Sequence, residues 1–172
     1  MRIFLAAALA LAATAGSLSA QAPTPAPSAS ATPEHFRPME WLVGSCWIGT
    51  FPNGKETDEH CFEWVYDRRF VRDRHVVRGG KPYEGETLYG RRGKDAHVTY
   101  WYWSSSGGIS TGRVDPVGDE LHFPERHETK DGVLEMRSIW RRVDADHYSI
   151  LVESRKDGAW KQMWTMEMTR KQ

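Results

Sequence analysis

Residues Cys46 to Trp64 read CWIGTFPNGKETDEHCFEW. Two runs rich in aromatic and β-branched residues flank Asn53-Gly54, the strongest short-range hairpin signal. Centring a ladder on that pair sets Cys46 directly opposite Cys61. Pro52 cannot donate the hydrogen bond that the tightest turn wants, so the loop holds two residues or four, and both lengths keep the same pairing. An antiparallel pair of either kind brings the two Cα atoms within disulfide reach. A bridge closing so short a loop contributes about 3 kcal/mol. Metal binding or redox chemistry is the rival use of the two Cys, and no CxxC spacing supports it.

The same pairing divides the hairpin into faces. Trp47, Gly49 and Phe51 share one face with His60, Phe62 and Trp64, while Cys46, Ile48 and Thr50 share the other with Glu59, Cys61 and Glu63. The first set is the more aromatic, so it is expected to point inward and the disulfide outward.

Further along, the chain keeps this rhythm. Turn signals recur at Gly79-Gly80, Gly93-Lys94-Asp95, Gly107-Gly108, Val117-Gly118-Asp119, Asp131-Gly132, Asp144 to Asp146 and Asp157-Gly158. Between them lie short runs such as RFVRDRHVV, HVTYWYW, LEMRSIW, HYSILVE and WKQMWTMEM. Strands at this spacing form an antiparallel meander. Only His35 to Val43 suits a helical turn or two. A meander of this many strands leaves exposed edges unless it closes or doubles, and apolar runs such as VTYWYWS would aggregate if left open. The predicted fold is therefore all-β: an antiparallel up-and-down barrel of about 8–10 strands, with a sandwich as the alternative.

Two later hairpins extend the face assignments. Centred on Asp131-Gly132, Phe123 opposes Trp140 and His127 opposes Met136 on the inner face, while Arg126 opposes Arg137 and Glu128 opposes Glu135 outside. Directly opposed like charges are tolerable only in solvent. Centred on Asp157-Gly158, Leu151 opposes Trp164 and Ser149 opposes Met166, with Trp160, Trp164, Met166 and Met168 along one side. Asp73 and His75 share a strand face, but Arg72 and Arg74 alternate with them, and the whole run reads as solvent-exposed.

The N-terminus reads as an address. Met1-Arg2 gives a positive start, Ile3 to Ala15 is apolar and small apart from Thr14, and small residues continue to Ala20. This is the layout of a secretory signal peptide, residues 1–20, cleaved after Ala20 or Ala15; an uncleaved anchor is the alternative. Residues 21–34, QAPTPAPSASATPE, form a Pro/Ala/Ser linker that cannot bury apolar area. The folded domain is expected over 35–172, in the periplasm or secreted, with no stable membrane span after processing. Across 172 residues, 23 Lys+Arg balance 23 Asp+Glu, which argues against a nucleic-acid or anionic-membrane partner.

The stretch WLVGSCWIGTF, from Trp41 to Phe51, resembles the opening of calycin barrels, the lipocalin-like group. There a Gly and a Trp begin the first strand and the Trp plugs the barrel base. The resemblance implies that Gly44 and Trp47 fill those roles, with Arg170 as the basic residue covering the Trp. The family spacing is Gly-x-Trp and this chain reads Gly-x-x-Trp. Leu42, Tyr89-Gly90 and Met166 to Thr169 extend the likeness to small bacterial lipocalin-like domains.

Such a barrel implies a pocket. The inward set expected to line it is Trp64, Phe123, His127, Met136, Trp140, Trp164 and Met166, plus either Tyr100 and Tyr102 or Trp101 and Trp103. Flat rings and thioethers suit a small apolar or aromatic guest, or else simply fill the space. His60 and Glu125 are the candidate polar interior, and a His beside a carboxylate in an apolar cavity can do acid–base work. No hydrolase elbow, metalloprotease helix, phosphate loop or dinucleotide fingerprint is present, so no catalytic residue is assigned. His122 and His127 fall on opposite strand faces, a poor metal site, and no metal is expected. No cofactor is expected either. Nitrobindin-like relatives of this fold hold haem through a late-strand His, and no His follows His147. The alternatives to a ligand carrier are a barrel enzyme using His60 or His127 with Glu125, and a ligand-free interaction domain.

Overall fold

The computed structural model describes residues 31–129 and 132–172, the side chains of 127–129 excepted. The expected signal peptide and most of the linker lie outside the described residues. Glu34–Leu42 forms a short 3-10 helix with Pro38 inside it. Ten strands follow: β1 (Ser45–Thr50), β2 (Thr57–Val65), β3 (Phe70–Arg78), β4 (Tyr83–Arg91), β5 (Val98–Ser104), β6 (Ile109–Val117), β7 (Glu120–Thr129), β8 (Gly132–Arg142), β9 (His147–Lys156) and β10 (Ala159–Arg170). Each strand pairs with its chain neighbours, and β10 pairs back onto β1, closing an up-and-down barrel. Closure removes the free edges that would otherwise template association. No helix among the described residues is long and apolar enough to cross a membrane.

The first hairpin has the predicted register. Cys46 faces Cys61, Trp47 faces His60 and Ser45 faces Phe62. The two Cys form a disulfide with Cα atoms 4.0 Å apart. The loop is the four-residue form: Phe51 N–H donates to Glu56 O, and Gly54 N–H to Phe51 O. Asn53 Oδ1 accepts from the backbone N–H groups of Lys55 and Glu56, which is why Asn suits that position.

Two registers differ from expectation. On β7–β8, Phe123 faces Ser138 and His127 faces Leu134, not Trp140 and Met136. The slide is by an even number of residues, so the faces survive. It also replaces like-charge opposition with attraction, since Arg126 now faces Glu135. On β9–β10, Trp160 faces Arg155 and Gln162 faces Glu153 as the turn requires, but a bulge then shifts the ladder, so Trp164 faces Val152 and Met166 faces Ile150. The extra residue, Met163, is exposed. A bulge inverts the alternation on one side of it. Trp160 therefore does not share the inner face with Trp164; Arg137 stacks on its ring at 4.4 Å. Between β2 and β3 the chain turns without glycine, through left-handed Tyr66, Asp67 and Arg68.

The core fills the end of the barrel nearest the helix. Phe36, Met39 and Leu42 bury against Phe62, Val71, Tyr148 and Met168. Trp47 is fully buried, and its Nε1–H donates to Leu42 O at 3.2 Å. The Arg170 guanidinium lies 4.2 Å from the Trp47 ring. It also donates to Ala145 O at 2.7 Å and to Ser45 Oγ. Gly44 takes φ +83°, a left-handed turn into β1 that disfavours a side chain.

Candidate functional site

Alternation carries Asp58, His60 and Phe62 to the inner face of β2, and Val71, Asp73 and His75 to the inner face of β3. The register sets His60 opposite His75 and Phe62 opposite Asp73. Two Asp-x-His units thus meet inside the barrel. All four polar residues are at least nine-tenths buried. The expected exposure of Asp73 and His75 is incorrect. Arg72 and Arg74 do point outward, to Glu63 and Glu86, but closure of the barrel covers the face between them.

These groups form one hydrogen-bonded chain. His60 Nδ1 lies 2.9 Å from Asp73 Oδ2, and His60 Nε2 lies 3.2 Å from Asp58 Oδ2. The other Asp58 oxygen meets His75 Nδ1 at 3.0 Å. His75 Nε2 meets Tyr102 Oη at 3.0 Å, and Tyr102 Oη meets Tyr83 Oη at 2.5 Å. Gly85, paired with His75 on β4, makes this approach possible. A Cβ there would sit 2.5 Å from the Tyr102 ring and 2.6 Å from His75 Nε2.

The electrostatics follow from burial among partners. For His60, burial opposes the charged ring, but the Asp73 charge and hydrogen bonds to Asp58 and Asp73 outweigh it, raising its pKa to about 10. For Asp58, burial favours the neutral acid, but hydrogen bonds and charge from His60 and His75 outweigh it, holding the carboxyl well below its ordinary value. Burial and the neighbouring Tyr83 push the Tyr102 phenol well up, so it remains a donor. Burial and the charge of Glu125 likewise raise Tyr100. A buried imidazolium bridging two buried carboxylates is an arrangement that hydrogen bonding must complete, because unpaired charge is costly inside a barrel.

The chain forms one wall of a cavity of about 320 Å³. Phe51, Tyr89, Tyr100, Phe123, Trp140 and Trp164 line it as well. An adjoining space of about 270 Å³ shares Asp58, His60, Glu125 and Trp140 and adds Met136 and Met166. Phe51, Val77, Tyr83 and Ser110 stand at strand ends away from the helix, so the cavity lies toward the barrel end opposite Trp47.

Of the residues expected to line a pocket, Phe123, Met136, Trp140, Trp164 and Met166 line these spaces, together with His60 and Glu125. Tyr100 and Tyr102 are the inward pair of β5, and Trp103 is exposed. Trp64 does not line the cavity. It lies at the helix end, packed edge-on to Phe36 at 5.3 Å with Arg68 over its ring. The reason is position, since Trp64 is four residues past His60, toward the turn that the helix covers. The side chain of His127 lies outside the described residues. Sequence reasoning missed Asp58, Asp73, His75 and Tyr83. The available signal was the Asp-x-His spacing repeated at 58–60 and 73–75, on strands separated by a turn.

No protein-family model matches the chain, and a search of curated proteins finds no match.

Proposed function

We propose that this chain is an exported, lipocalin-like binding protein of the calycin type. Its barrel takes up a small molecule with an aromatic or apolar body and a polar group. The observation that carries the reading is the cavity of about 320 Å³ lined both by aromatic rings and by the Asp58–His60–Asp73–His75–Tyr102 chain. That volume is at the small end of ligand sites, and a mainly apolar lining with a few convergent polar groups is their usual character. The Gly44, Trp47 and Arg170 arrangement at the base supports the calycin likeness. The Cys46–Cys61 disulfide and the layout of residues 1–20 support export, since disulfides persist in oxidising compartments.

The test is native mass spectrometry of protein purified from its own host, followed by fluorescence titration with a panel of small aromatic and apolar compounds. Trp140 and Trp164 line the cavity, so a guest is expected to quench their emission saturably. Ser110→Trp, which narrows the mouth, is expected to weaken quenching at least tenfold. Bare protein in the spectrometer with no saturable quenching would overturn the proposal, as would quenching that Ser110→Trp leaves unchanged.

A second reading, an acid–base enzyme, is favoured by one feature: Asp58 holds His75 from one side while Tyr102 meets its other nitrogen. A carboxylate-oriented imidazole beside a cavity is the geometry of a general base. It predicts turnover that His75→Gln abolishes.

A further inference from the structure

We infer that Asp58, His60 and His75 form a binding site for one divalent first-row transition ion of the zinc, cobalt or ferrous type, with open coordination positions facing the cavity. The inference goes beyond the binding reading and does not depend on any organic guest. All three residues are buried, and their ligand atoms lie within 4.8 Å of one another. Donor atoms about 2.0–2.1 Å from a tetrahedral ion stand about 3.3 Å apart. Here one Asp58 oxygen stands 3.2 Å from His60 Nε2 and the other 3.0 Å from His75 Nδ1, so the carboxylate bridges the two rings. The two rings lie 18° from parallel with centroids 4.9 Å apart, so an ion shared by both requires each ring to turn about its side-chain bonds until its lone pair meets the ion.

The surroundings supply the independent argument. In metal sites, the ring nitrogen of a ligating His that does not touch the ion is nearly always held by a carboxylate, carbonyl or other polar group. Both rings here have that arrangement. Asp73 holds His60 Nδ1, and Tyr102 holds His75 Nε2. Asp73 and Tyr102 are thus positioning residues, and Gly85 leaves the room that Tyr102 needs. No Lys or Arg lines this cavity among the described residues; Arg137 borders the adjoining space and is held by Glu153, and the ion takes the place of the proton between His60 Nε2 and Asp58. Two imidazoles and one carboxylate are a borderline donor set, which suits zinc, cobalt and iron better than calcium or magnesium. Three protein ligands leave at least one position for water or a guest.

The test is titration of the metal-stripped full chain with Co²⁺ and, separately, Zn²⁺. One Co²⁺ per chain is expected, giving the visible absorption bands of a four- or five-coordinate site. Adding imidazole should shift those bands by entering the open position. Zn²⁺ should displace the bands and raise the melting temperature. His75→Gln and Asp58→Asn, each checked for fold by near-ultraviolet circular dichroism, should abolish the bands. Asp73→Asn leaves all three ligands and should weaken Co²⁺ affinity 10- to 100-fold. Absence of the bands in the wild type overturns the inference, as does their persistence in Asp58→Asn or in His75→Gln. Should either of those variants fail to fold, Tyr102→Phe, which removes only the hydroxyl that holds His75 Nε2, decides, and unchanged Co²⁺ affinity overturns the inference.

Discussion

Raising the pH should selectively unlock the barrel through His60. In the metal-free folded chain this imidazole titrates at about 10, against about 6.5 when unfolded. The folded value is the higher, so the stabilisation is fully present below about pH 6.5 and is lost as pH rises through about 10. At about 1.4 kcal/mol for each tenfold change in proton affinity, the full loss is on the order of 5 kcal/mol. That is a large fraction of a typical domain's stability. The Asp58 carboxyl shifts the opposite way, so its share is present above its unfolded value and is lost in acid. Both shifts describe one set of contacts, and their energies do not add. Asp73→Asn removes the strongest attraction on His60 while keeping the shape of the side chain. At pH 7 it should cost about 3–5 kcal/mol, the usual result of breaking a buried charged pair. It should also cut the alkaline loss by more than half. Urea denaturation of both proteins at pH 7, 8.5 and 10 measures the two slopes, and other Lys and Tyr groups cancel in the comparison. Equal slopes would refute the reasoning. So would a His60 ring resonance that titrates near pH 6.5 in the folded wild type.

Other consequences reach the rest of the barrel. Reducing the Cys46–Cys61 bridge, or replacing both Cys with Ser, opens a 15-residue loop and should remove about 3 kcal/mol, which calorimetry would read as a fall of about 10 °C in melting temperature. Gly85→Val places atoms where the Tyr102 ring and His75 Nε2 now lie; destabilisation of about 1–3 kcal/mol is expected, with loss of the His75–Tyr102 hydrogen bond visible by NMR. Arg170→Met keeps the bulk of the stem but removes the cation over Trp47 and the donors to Ala145 O. A loss of about 1–3 kcal/mol in chemical denaturation is expected, and unchanged stability would show that the base closes without it.

The cavity wall shows how far a linear reading extends into a closed barrel. Strand period alone was enough to place Phe123, Trp140 and Met166 inside, because alternation is local and one face is apolar. It failed at Trp160, because a single extra residue at Met163 changes which side faces inward and nothing in QMWT marks a bulge. For Asp73 and His75 the local pattern was misleading. Flanking arginines made the run look solvated, and only the neighbouring strands cover its other face.

The sequence by itself determined the strand-and-turn rhythm, the disulfide and the faces of the first hairpin, since each depends on residues a few positions apart and on a side-chain period of two. Which polar groups meet was decided by the tertiary structure. His75 reaches Asp58 across one strand pairing, and Tyr102 across two more, and the ladders that align them are set by barrel closure and by the packing of Trp47, Tyr148 and Met168 at the base. Hydrogen bonds at 3 Å demand a precision in register that hydrophobic alternation, indifferent to shifts of two residues, does not supply.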